Sequence, residues 1–167
     1  AHVMVNRGLG LTGGFLLNNQ LTDFSFSPRD ATGRRSVNRV EPGKRPRSSM
    51  APTLVFERRP DGSLRLDAVL GSPGGIVIPQ YVAKTVWALY AEGLDAQTAV
   101  ALPHFAAFDG PTLLETGADT ALERALVGRG HAVRRLALTS GLHLLRRDGS
   151  GWQVGVDPRR EGAAAGR

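Results

Sequence analysis

The sequence predicts an α+β layered fold, and three observations carry that prediction. Two pairs of short strand-like runs are joined by the turn dipeptides Asp61-Gly62 and Asp148-Gly149. A block of helical periodicity lies between the pairs. Strands and helices do not alternate one for one, as a doubly wound parallel sheet would require. The 167 residues match the length of one domain, and 41% hydrophobic with 22% charged residues is a globular balance. Residues 1–167 therefore read as one domain or one piece of a domain.

In chain order, Ala1 to Gly14 is glycine-rich and begins without a capping or strand signal. Phe15-Leu16-Leu17 is a short apolar strand, followed by Asn18-Asn19-Gln20 and Leu21-Thr22-Asp23-Phe24-Ser25. Polar side chains directly after a buried strand are well placed to face a pocket. Residues 26–40 are rich in Ser, Pro, Gly, Asp and Arg without apolar periodicity, which predicts a mobile loop or lid. Pro42, Pro46 and Pro52 exclude a helix from the next stretch and stiffen it.

Thr53 to Glu57 and Leu64 to Leu70 are predicted strands, the second feeding Gly71-Ser72-Pro73-Gly74-Gly75. Ile78, Tyr81, Val82, Val86, Leu89 and Tyr90 then recur at helical spacing up to Gly93. Asp95 can cap a shorter helix that Pro103 stops. Thr112 to Glu115 is a predicted strand, and Asp119 to Gly130 a helix with Leu122, Ala125 and Leu126 inward. Ala132 to Ala137, Leu142 to Arg146 and Trp152 to Val156 are further strands, followed by an Arg-, Gly- and Ala-rich tail over 157–167.

Composition excludes several classes. Without Cys there is no disulfide framework or thiolate metal site. No apolar run reaches the roughly 20 residues that span a bilayer, so no membrane partner is expected. The net charge of +6 comes from scattered Arg, with Lys only at positions 44 and 84, and has neither aromatic interleaving nor zinc spacing. Nucleic acid is not an expected partner. His2, His104, His131 and His143 share no metal-ligand spacing and read as structural or surface residues; no metal or cofactor is expected. Asp157-Pro158-Arg159 reads as an ion-paired structural turn.

Three groups carry candidate chemistry. A strand, a glycine turn and a helix in that order set the amides of Gly74 and Gly75 at a helix N-terminus. Such a place favours an anion or oxyanion, although the same pattern also serves as a plain turn. Ser48 and Ser49 offer two hydroxyl donors to a carboxylate, or are solvated loop residues. Asp23 with Gln20 offers an acceptor pair for an ammonium group, or a local cap. Together they describe recognition of an amino-acid zwitterion beside an acyl-transfer centre.

Four blocks then match a known pattern in the same order: Phe15 to Gln20 with Asp23-Phe24-Ser25, Pro42 to Thr53, Gly71 to Gly75, and Asp157-Pro158-Arg159. From about Phe15 to about Gly166 the chain closely resembles the small subunit of γ-glutamyltranspeptidases. The resemblance implies an N-terminal-nucleophile hydrolase fold, an αββα sandwich of two stacked antiparallel sheets between helical layers. It implies transfer of the γ-glutamyl group of glutathione or a related amide to water or to an amino-acid or peptide acceptor.

On that resemblance Gln20 and Asp23 bind the substrate α-amino group, Ser48 and Ser49 its α-carboxylate, and Gly74 and Gly75 supply oxyanion amides. The expected partner is the large subunit of the same precursor, and the expected location is periplasmic or extracellular. The departures are at the start: no segment before Phe15 resembles that of the nucleophilic threonine, and Leu11-Thr12-Gly13-Gly14 does not match its motif. The sandwich is therefore expected to be incomplete and the isolated chain inactive. Thr22 stands where an acidic residue is common in the family, and with the loop from Phe26 to Val40 it leaves open a same-fold amide acylase; a truncated, non-catalytic binding remnant is the alternative from another class.

Overall fold

The computed structural model describes residues 18–166, so Thr12 and the expected strand Phe15 to Leu17 lie outside the described residues. The chain, read from its sequence as one domain, divides into two compact units, Ala1–Met50 and Ala51–Arg167.

The N-terminal unit is ordered by polar contacts. Gln20–Asp23 forms a 3-10 turn, with Phe24 buried behind it. Residues 26–40 leave and return through a neck where Ser25 bridges Arg39, and Arg29 bridges Arg35 within the excursion. Asp30 Oδ1 accepts from Thr32 N, Thr32 Oγ1 and Arg34 N at 2.7 to 3.0 Å. Glu41 gathers the cations of Arg35, Arg39 and Lys44. This order comes from side chains bonding to nearby backbone, a pattern that has no hydrophobic period to read.

The C-terminal unit holds β1 (Thr53–Arg58), β2 (Leu64–Gly71), α1 (Ile78–Tyr90), α2 (Ala96–Ala101), β3 (Phe105–Ala106), β4 (Thr112–Glu115), α3 (Thr120–Gly128), β5 (Val133–Leu136), β6 (His143–Asp148) and β7 (Gly151–Val156). The fold is α+β, as the sequence predicts. One sheet is antiparallel in the order β1-β2-β6-β7; the other, β3-β4-β5, joins β4 and β5 in parallel through α3. A parallel pair needs such a crossover, and the hairpin count did not predict it.

Alternation along the large sheet sends Ala68, Leu70, Leu142 and Leu144 into a core with Ile78, Val82, Leu89, Ala99 and Val100 of α1 and α2. Each large aliphatic side chain so buried contributes roughly 1.5–3 kcal/mol. Asp95 caps α2 by accepting from Thr98 N at 2.9 Å, as predicted. Gly155 is obligatory in β7 because a Cβ there would strike the backbone of Ala96. That close approach lets Gln97 act as a surrogate strand, its Nε2 donating to Val156 O and its Oε1 accepting from Val156 N, each at 3.0 Å. A sheet edge open to pairing is thereby closed.

On the opposite face of this sheet, Val69, Leu145 and Val154 line a cavity together with Ala163, Ala164 and Ala165 of the tail. Register aligns Leu54, Val69, Leu145 and Val154 in one transverse row across all four strands, and Leu54 is 58% exposed. The helix α3 departs from expectation. None of its residues is buried, and Leu122 and Ala125 are exposed while Leu126 is half-buried. Its amphipathic period is real, but three short strands give it too little surface to bury a full stripe.

Candidate active site

In the N-terminal unit the candidate ligand-binding residues fall on two segments. The 3-10 turn starts where Gln20 N donates to Asn18 Oδ1 at 3.0 Å, and Thr22 Oγ1 donates to Asn19 O at 2.8 Å. Asp23 closes the turn, exposed, its carboxylate without a hydrogen bond or ion pair to any described residue. Ser48 is exposed and its Oγ accepts from Met50 N at 3.1 Å, a local turn that leaves its proton available; Ser49 beside it is half-buried.

One side chain ties the two segments together. Asn38 Nδ2 donates to Asp23 O at 2.7 Å, while Asn38 Oδ1 accepts from Arg47 N at 2.9 Å. The partner types fix the orientation of the amide, since a carbonyl only accepts and an N–H only donates. Nothing in the spacing of the sequence singles out Asn38.

In the C-terminal unit β2 runs into the glycine turn. Gly74 has φ +144° and Gly75 φ +68°, leading through a 3-10 turn, Gly75–Val77, into α1 with Pro79 in its first turn. The predicted strand–turn–helix order is present. A Cβ on Gly74 would lie 2.6 Å from the Tyr81 ring, so both conformation and space demand glycine there.

Behind the turn lies a buried polar network. Asp157, 1% exposed, accepts from Ser140 Oγ, from Leu142 N at 3.0 Å and from Arg159 N at 3.0 Å. Arg159 adds Nη1 to Asp157 Oδ1 and grips both oxygens of Glu115, at 2.6 and 2.8 Å. Glu115 also accepts from His104 N at 2.7 Å. Burial works to raise the pKa of Asp157 and Glu115, yet hydrogen bonds to the charged forms win and hold both below the usual range. Asp157-Pro158-Arg159 is the ion-paired turn that the sequence predicts.

His104 is fully buried, its ring 4.2 Å from that of Tyr81 and its Nε2 2.6 Å from Ser140 Oγ. Ser140 gives its proton to the Asp157 carboxylate, so His104 Nε2 must carry a proton and donate to Ser140. Nδ1 is then a bare lone pair, buried without a partner. Proton flow in a Ser-His-Asp nucleophile runs the other way, with His accepting from Ser. The trio is structural.

Burial first, then the charges of Lys84 and Arg159, push the pKa of His104 down to about 3. Lys84, buried and donating to Leu102 O at 2.7 Å, is lowered to about 8 by burial and then by Arg159. Because the folded pKa of His104 lies below its unfolded value of about 6.5, its neutral form stabilises the fold fully above pH 6.5. That contribution is lost as pH falls toward 3, at about 1.4 kcal/mol per unit. Unfolding free energies from urea titration are therefore expected to drop between pH 6.5 and 5 by about 2 kcal/mol more in the parent than in His104→Gln, which keeps a donor for Ser140 but does not titrate. Equal slopes in the two proteins would refute the assignment.

Both units, with these groups in place, find counterparts in known proteins. Residues 9–167 match the family described as gamma-glutamyltranspeptidase. The chain belongs to that family. A glutathione hydrolase of Aspergillus flavus is 31% identical over 152 residues, covering 87% of this chain and 24% of that protein. A glutathione hydrolase proenzyme of Bacillus subtilis is 40% identical over 90 residues, 54% of this chain and 14% of that protein. The structure of a gamma-glutamyltranspeptidase mutant from Helicobacter pylori is similar with a TM-score of 0.77 at 25% identity, covering 96% of this chain and 91% of that one. The α+β fold is accordingly that of the N-terminal-nucleophile hydrolases. The chain spans about a quarter or less of the length of these curated relatives.

Proposed function

We propose that this gamma-glutamyltranspeptidase-family chain carries the donor site of an enzyme that transfers the γ-glutamyl group of glutathione or a related amide to water or an amine acceptor. The observation that carries this reading is Asp23, exposed and with its carboxylate unpaired among the described residues, its backbone carbonyl tied through Asn38 to the stretch bearing Ser48 and Ser49. An acidic acceptor and a hydroxyl pair on linked segments suit the two charged ends of an α-amino acid.

Asp23 and Gln20 take the α-ammonium, and the hydroxyls of Ser48 and Ser49 donate to the α-carboxylate. With both charged groups of the glutamyl α-carbon held, the γ-carbonyl at the other end of the unit is the group presented for reaction. The nucleophile adds to that carbon, and none of the described residues is assigned the role. The amides of Gly74 and Gly75 hold the charge that develops on the oxygen. If the nucleophile is a hydroxyl, as the family resemblance implies, the C–N bond then breaks, the amine leaves with the proton that hydroxyl gives up, and the ester so formed passes its acyl group to water or to a second amine.

A partner follows from the large sheet. The apolar row Leu54, Val69, Leu145 and Val154 suits a second sheet packed face to face, and the large subunit of the same precursor is the proposed source.

The test uses the full native protein, purified with whatever chain accompanies it, on γ-glutamyl and glutaryl anilides. Strong preference for the γ-glutamyl compound is expected, since only that compound presents an ammonium group to Asp23. In Asp23→Ala, kcat/KM for it is expected to fall about 10- to 100-fold, the worth of a hydrogen bond to a charged group, and the preference to shrink accordingly. Equal turnover of both anilides by the parent would favour an amide acylase, and no turnover of either a binding remnant; both would overturn the proposal.

A further inference from the structure

The side chain of Asn38 joins the two segments that carry the candidate binding residues. It sits on the segment returning from the 26–40 excursion, half-buried, and reaches in two directions. Its Nδ2 donates to the carbonyl of Asp23, and its Oδ1 accepts from the amide of Arg47, the residue immediately before Ser48. Its own backbone is held at the neck of the excursion, where Ser25 N donates to Asn38 O at 2.9 Å. Ser36 Oγ donates to Ser25 Oγ at 2.9 Å beside it, and Lys44 Nζ donates to Val37 O at 2.5 Å.

We infer that Asn38 is a positioning residue that sets the spacing between the ammonium-binding Asp23 and the carboxylate-binding Ser48, and so selects donors whose α-ammonium and α-carboxylate share one carbon. This rests on the donor-site reading above and deepens it. The two charged groups of an α-amino acid lie at a fixed separation, so a site that grips both must hold its own groups at a matching one. Loop residues alone do not supply that precision. An asparagine amide does, because its donor and acceptor are rigidly related across one planar group, with partners of opposite type. Aspartate is isosteric but lacks the donor, and would set a negative oxygen against the Asp23 carbonyl.

The distinction from a merely structural residue lies in which kinetic constant moves. Loss of spacing weakens the grip on the glutamyl unit in the ground state and so raises KM; loss of folded protein lowers the apparent kcat and leaves KM alone. In the full native protein, Asn38→Ala and Asn38→Asp are each expected to raise KM for a γ-glutamyl anilide about tenfold, with kcat within about twofold of the parent.

A second measurement ties the effect to Asp23. In an Asp23→Ala background, adding Asn38→Ala is expected to raise KM less than twofold, because the group it positions is already gone. A fall in kcat at constant KM would overturn the inference, as would independent, multiplicative effects of the two substitutions. Failure of the underlying reading is separate: there the parent would show no preference for γ-glutamyl over glutaryl anilides, whatever Asn38 does.

Discussion

Replacing Arg159 with methionine is expected to destabilise the protein by about 3–5 kcal/mol, the cost of stranding a buried charge when its partner is removed. Its guanidinium serves three elements at once: both oxygens of Glu115 on β4, Oδ1 of Asp157 after β7, and the carbonyls of Val100 and Leu102 at the end of α2, at 3.2 and 3.0 Å. No other described cation forms a salt bridge with Glu115 or Asp157. Typical domains have only about 5–15 kcal/mol in total, so the variant should be largely unfolded on modest heating.

Lysine is not an adequate substitute, because one ammonium cannot grip two carboxylates and two carbonyls in a plane. The pH dependence gives an independent check. In the parent the lowered pKa of Glu115 and Asp157 adds stability above their unfolded values and loses it as pH falls through the folded ones. Without Arg159, burial outweighs the remaining hydrogen bonds and the folded pKa rises, so the variant's deficit should narrow toward pH 4. Urea unfolding of both proteins at pH 7 and pH 4 measures this. A deficit under 1 kcal/mol at pH 7, or one that does not narrow, would show that the network is not what holds β4, α2 and the chain after β7 together.

What the sequence made legible, and what it did not, follows from the range of the interactions. Hairpins with Asp-Gly turns, the helix from Ile78, and the Asp95 cap are specified by residues a few positions apart, and they were readable. The glycine turn was readable for the same reason: strand, glycines and helix are contiguous. His104, Glu115, Ser140 and Asp157 stand up to 53 positions apart and meet only because β4, β6 and α2 are packed as they are. A histidine with no acid near it in sequence gave no hint that two carboxylates frame its environment. Asn38 was hidden differently. It lies in a stretch whose order comes from side-chain-to-backbone bonds, and an asparagine in a polar loop is unremarkable until both ends of its amide are seen to be used. In α3 the helix and its Asp119 cap were readable, but its inward face was not: the apolar period was present, while whether a stripe is buried depends on the surface opposite.

Gly74→Ala is expected to cut kcat about 10²–10³-fold, the usual worth of an oxyanion donor, while leaving KM for the γ-glutamyl donor within a few-fold. The steric argument is local. The new Cβ would sit 2.6 Å from Cε2 and 3.1 Å from Cδ2 of Tyr81, and that ring is 1% exposed and backed by His104 at 4.2 Å. The ring cannot withdraw, so the backbone of the turn must move instead. A φ of +144° is moreover nearly closed to any residue with a Cβ. The amides proposed to face the oxyanion move with the backbone, by an amount comparable to a hydrogen bond's tolerance.

KM is spared because the groups proposed to hold the glutamyl unit, Asp23 and Ser48, are fixed by Asn38 in the N-terminal unit. Gly71→Ala is the control: the same strand-to-turn region, no positive φ, and open space around the added methyl. It should retain parental kcat. Melting curves of all three proteins separate loss of fold from loss of catalysis. If kcat of Gly74→Ala falls only in proportion to its folded fraction, or stays within threefold of the parent, the turn serves the packing of α1 and not the oxyanion. If kcat collapses in a protein that melts like the Gly71 control, backbone geometry at Gly74 is acting on the transition state, because that is the one stage at which the oxygen carries the charge these amides would meet.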